Sequence, residues 1–184
     1  MRLASINVVE ARRGSTTAEA GNERPDMDYE QLHEDLKRVL DDLIEKNEAA
    51  PIIVEGEYDR RSLRGLGIEG EIRLINEGST VFGLCESIAR RHREAIILTD
   101  WDIRGGRLAR QLRDGLSANG VKFDEDLRAR LTRLCRKDIT DVESLHVFVE
   151  RVAEHASSRY RQRPSKRWYA DRVQRRDTRR RSQK

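Results

Sequence analysis

Residues 94–106 read EAIILTDWDIRGG. The apolar run Ala95–Leu98 is too short for a helix, and it predicts a strand covered on both faces. The following stretch, GGRLARQLRDGLSANG (105–120), sets Leu108, Ala109, Leu112 and Leu116 on one helical face and stops at Asn119-Gly120. Upstream, PIIVEG (51–56) is a second buried strand ended by glycine, and DRRSLRGLG (59–67) a short helix. EIRLINEG (71–78) reads as a strand, TVFGLCESIARRH (80–92) as an amphipathic helix and VKFDE (121–125) as a short fourth strand. DLRARLTRLCRK (126–137) and the segment after it supply two more helices. Such alternation predicts an α/β fold with a mainly parallel four-stranded sheet and helices on both faces.

Outside this block, residues 1–26 lack periodicity and are expected to be disordered. Residues 27–49 form an amphipathic helix with Leu32, Leu36, Val39, Leu40, Leu43 and Ile44 on one face. That face should pack on the domain, taken as residues 50–156, or serve as a docking surface for a protein partner. The remainder, 157–184, is an arginine-rich tail that is expected to be disordered.

Of the 184 residues, 36% are apolar and 38% charged. No apolar run is long enough for a membrane span, and the N-terminus is a poor signal peptide. No membrane association and a cytoplasmic location are therefore expected. Cys85 and Cys135 are 50 positions apart without a CxxC pattern and read as small buried hydrophobes. His33, His92, His146 and His155 lack metal-ligand spacing. Net charge is +4, unevenly spread. The tail holds twelve Lys and Arg against Asp171 and Asp177, so it carries +10 and leaves −6 on the rest.

Glu55 follows one buried strand; Asp100 and Asp102 follow another. In a parallel sheet the crevice outside the carboxyl ends of the strands collects such residues. Asp100 and Asp102 share a side if the chain stays extended through Trp101. Two carboxylates so placed call for a compensating cation, and hard oxygen ligands favour magnesium or manganese, as one ion or two. Glu55 could share the metal or act as general acid or base. Gly105 and Gly106 open the next helix, where backbone N–H groups could accept a phosphate. A DxD alone is weak, because aspartates at strand ends also cap helices and form turns.

IIVEGEYD followed by IILTDWDIRGG resembles the Toprim domain of topoisomerases, primases and related nucleases. In that family one strand ends in glutamate-glycine and another in DxD, here Glu55-Gly56 and Asp100, Asp102 with Gly105. The resemblance covers roughly residues 50–150. It extends to small stand-alone Toprim proteins, among them the ribonuclease that matures 5S ribosomal RNA and a group of short archaeal proteins. VEGEYDRRSLRGLGI, LTDWDIRGGRLARQL and KFDEDLRARL look like their motifs. By this resemblance Glu55 is the catalytic acid/base and a metal ligand, and Asp100 and Asp102 bind magnesium. Asp59 is an auxiliary acid or, preferably, a cap of the following helix. Arg104 contacts phosphate or is simply solvated, and Trp101 packs rather than stacks on a base. No topoisomerase tyrosine domain surrounds Tyr29, Tyr58, Tyr160 or Tyr169.

In the tail, Arg159, Arg161, Arg163, Lys166, Arg167, Arg175, Arg176, Arg179, Arg180 and Arg181 are candidate phosphate contacts. Tyr160, Trp168 and Tyr169 among them could stack on unpaired bases. The expectation is a magnesium-dependent nuclease acting on nucleic acid, with RNA favoured over DNA. The alternative is a non-catalytic nucleic-acid-binding or accessory module in replication or repair.

Overall fold

The computed structural model describes residues 28–77 and 80–158. The expected disorder of 1–26 and the tail contacts from Arg159 onward lie outside the described residues. The elements are α1 (Tyr29–Asn47), β1 (Ile52–Val54), α2 (Glu57–Gly65), β2 (Ile72–Leu74), α3 (Val81–Ala89), β3 (Glu94–Ile97), α4 (Ile103–Ala118), β4 (Lys122–Asp124), α5 (Asp126–Cys135) and α6 (Leu145–Ser158).

All strand pairs are parallel, in the order β2-β1-β3-β4. Ile52 is level with Ile72 on one side and Ile96 on the other. Strand alternation then sends side chains to two cores. Ile53, Ala95 and Ile97 face Leu84, Cys85 and Ile88 of α3 and Ala109, Leu112 and Leu116 of α4. Ile52, Val54, Ile96 and Leu98 face the other way, onto α1, α2, α5 and α6. The predicted α/β architecture with helices on both faces is therefore present.

Of the two fates open to the N-terminal helix, packing on the domain is the one seen. Leu36, Val39, Leu40 and Leu43 are buried in the second core, and α1 lies against α5 and α6. Asp28 starts this helix by accepting the N–H groups of Glu30 and Gln31. Both cysteines are free and buried, as expected, and burial pushes the Cys135 thiol up to about 12. Among the described residues no helix is long and apolar enough to cross a membrane.

Three boundaries differ from the sequence reading. Helix α2 starts at Glu57, not Asp59, because Asp59 reaches back to accept the Gly56 N–H at 2.9 Å. Helix α4 starts at Ile103, not Gly105, because Asp102 already caps it. Strand β2 stops at Leu74 and passes into a 3-10 turn over Ile75–Glu77, where a Glu77 carboxylate oxygen accepts the Leu74 N–H.

Candidate active site

The strand order reverses between β1 and β3, because the chain goes outward from β1 to β2 and then returns past β1 to β3. In open α/β sheets this switch point is where the crevice forms. Glu55 leaves β1 at its carboxyl end, one residue before the N-cap of α2. Asp100 lies beyond β3 at the same edge, and the two meet: Glu55 Oε1 accepts the Asp100 N–H at 3.3 Å.

Each carboxylate has a defined setting. The Asp100 Oδ1 atom accepts the Val142 N–H at 2.8 Å, which ties β3 to the connection before α6. Burial pushes its pKa up to about 6, with Asp59, Glu55 and Asp141 adding repulsion. Glu55, only 12% exposed, is likewise raised, first by burial and then by Asp59 and Asp102. Arg104 opposes this with Nε 3.7 Å from Glu55 Oε2, while its own side chain is 80% exposed. Asp59 is buried and raised by burial, with Glu143 and Asp141 adding. It caps α2, the role preferred from the sequence, and its charge also reaches Glu55 and Asp100.

Asp102 departs from the expected arrangement. The chain does not stay extended through Trp101 but bends into α4, and Asp102 Oδ1 accepts the Gly105 N–H at 2.6 Å. Its charge still acts on Glu55. Among the described residues, no three His, Cys, Asp or Glu side chains lie close enough to hold a metal ion as they stand.

Gly105 also has another job than the one expected. Its N–H is taken by Asp102, and Gly106 N–H goes to the Asp102 carbonyl, so neither offers a phosphate its hydrogen. A Cβ at Gly105 would overlap the Asp100 carbonyl oxygen, so only glycine lets α4 close on the strand end. Trp101 packs, as expected: its Nε1–H donates to the Ile139 carbonyl at 2.7 Å.

Two participants escaped the sequence reading. Arg128 on α5 donates from Nε to the Thr99 carbonyl at 3.0 Å and from Nη2 to the Asp100 carbonyl at 2.6 Å, clamping the loop that carries Asp100. Asp141 adds a further negative charge to Asp100 from 41 positions away. Its only local signal was a turn, since its carboxylate accepts the Ser144 N–H at 2.8 Å.

No protein-family model matches the chain. It is 40% identical over 125 residues to a UPF0292 protein of Methanosarcina barkeri, covering 67% of this chain and 87% of that one. A UPF0292 protein of Methanocaldococcus jannaschii is 33% identical over 125 residues, covering 68% of this chain and 98% of that one. A UPF0292 protein of Pyrococcus abyssi is 35% identical over 125 residues. Among solved structures, a protein from Aquifex aeolicus shares the fold with a TM-score of 0.52 at 24% identity, over 59% of this chain and 96% of that one.

Proposed function

The chain belongs to the UPF0292 family, and from the geometry of its carboxylate centre we propose that it is a magnesium-dependent Toprim protein that hydrolyses phosphodiester bonds in structured RNA. The observation that carries the proposal is the meeting of Glu55 and Asp100 at the switch point of the sheet. Burial and three neighbouring acids, Asp59, Asp102 and Asp141, raise one or both of them, while Arg104 is the cation acting on Glu55. Carboxylates gathered in this way are relieved by a divalent cation.

The donor set fits magnesium. This ion keeps several waters and takes one or two carboxylates plus substrate phosphate, rather than a closed protein cage. Glu55 and Asp100 would hold it, Asp100 through Oδ2 because Oδ1 is engaged by Val142. Asp102 would act from the N-cap of α4, through the oxygen not bonded to Gly105. When bound, the ion would supply charge neutralisation at a phosphoryl oxygen and orient a water. Glu55 could take the attacking water's proton at Oε2 and pass it to the leaving oxygen. Arg104 stands beside Glu55, with its guanidinium exposed to a phosphate.

The test uses labelled structured RNA, single-stranded DNA and duplex DNA, each with magnesium or manganese. Asp100→Asn keeps an acceptor for the Val142 N–H but removes the charge. It should lower cleavage about 100-fold or more, as should Glu55→Gln. Full metal-dependent cutting by Asp100→Asn refutes the proposal. Tight, salt-sensitive binding without product under either metal favours the binding-module reading, which the +10 tail also suits.

A further inference from the structure

Helix α4 begins at the carboxylate centre and runs away from it. Its inner side is spent: Gly105, Ala109, Leu112, Gly115 and Leu116 are buried. Outward it presents Arg104, Arg107 and Arg110, all exposed. Three-residue spacing sets each arginine about 60° round the axis from the last, and the three span about 9 Å along it. Among the described residues Arg107 and Arg110 form no ion pair, whereas Arg113, one turn further, pairs with Glu125 at 3.4 Å. No ion pair among the described residues therefore accounts for these two guanidinium groups.

Gly106 is a second, independent observation, at the margin of that face. A glycine inside a helix weakens it relative to alanine. Gly105 has a reason to be glycine, the Asp100 carbonyl oxygen against it. Gly106 has none: a Cβ there would meet nothing within 4 Å. It is exposed, and helix geometry sets it about 40° round the axis from Arg110, one turn before it, and about 100° from Arg107. A bare backbone patch beside the Arg110 side of the arginine face is suited to close approach by an anionic chain.

We propose that the outer face of α4 is a track for a polynucleotide backbone, on which Arg104, Arg107 and Arg110 neutralise successive phosphates and Gly106 lets the strand lie against the helix. The track leads the backbone to Glu55 and Asp100, and it rests on the nucleic-acid reading of that centre. Arginine suits the role because its planar fork matches phosphate oxygens.

The experiment measures binding of the full chain to labelled RNA across a salt series, so that it does not depend on cleavage. Reversing two charges, Arg107→Glu with Arg110→Glu, should weaken binding at least ~10-fold. It should also flatten the plot of log affinity against log salt by about 1.4–1.8, the value for two lost phosphate contacts. The control, Arg91→Glu with Arg93→Glu, changes net charge equally at exposed positions before β3, on the opposite edge of the sheet. It should move the slope far less. Gly106→Ala is the second variant: it should raise Tm by ~2–4 °C and weaken binding all the same. Equal losses in the α4 pair and the control pair overturn the track, because net charge alone would then explain them. Wild-type slope and affinity in both α4 variants also overturn it, while leaving the proposed function standing. A wild type that binds no polynucleotide removes both.

Discussion

Asp100 keeps one oxygen on the Val142 N–H while burial, Asp59, Glu55 and Asp141 push its pKa up to about 6. An unfolded aspartate titrates near ~3.9. The folded state therefore holds the proton more tightly, and stability falls as pH rises between those two values. The penalty is absent below about pH 4 and complete above about pH 6. Asp100→Asn should remove it. In metal-free buffer the variant should match wild type near pH 4 and exceed it by on the order of 1–2 kcal/mol at pH 7.5, after allowance for solvent screening. Denaturant unfolding at the two pH values checks this. A variant less stable than wild type at pH 7.5 would mean that the charge is already compensated within the protein. Losing activity while gaining stability is the pattern of a residue kept for function.

At the level of elements, α1 behaves as part of the domain and not as an appendage. Leu40 is fully buried in the core that α1 shares with the sheet and with α5 and α6. Leu40→Ala should cost about 2–5 kcal/mol, read from the unfolding midpoint; a loss under 1 kcal/mol would show α1 to be peripheral. Its apolar stripe was plain in the sequence, but what covers a stripe is not written in its periodicity. The strands were legible for a related reason: IIV and AIIL are short, apolar and rich in β-branched residues, with Gly56 or Asp100 two residues past the end. Glu55 and Asp100 followed from their places at strand ends. The local geometry of Asp102 did not, because an aspartate before a helix fits both a ligand and a cap, and Gly105-Gly106 drew the helix start two residues late. Arg128 and Asp141 were hidden because their partners are 28 and more positions distant. Only the folded chain brings α5 and the loop before α6 against the end of β3.

Across the whole molecule, a mildly acidic body carries a basic tail. The M. jannaschii relative is matched over 98% of its length by 68% of this chain, so about a third of this chain lies outside that match. The carboxylate centre lies among residues 28–158, and the tail adds positive charge to the chain. Removing residues 159–184 takes away twelve cations and two anions. It should weaken RNA binding and flatten its salt dependence, while leaving the metal response of the body unchanged. Unaltered affinity in filter binding would assign substrate capture to the body alone.

Direct titration of the full chain with manganese, followed by electron paramagnetic resonance at pH 7.5, tests the carboxylate centre itself. Wild type should show saturable binding that Asp100→Asn and Glu55→Gln each abolish, and that fades as pH drops below about 6, where Asp100 takes up a proton. Manganese bound equally well by wild type and both variants, or not bound saturably at all, would contradict the account.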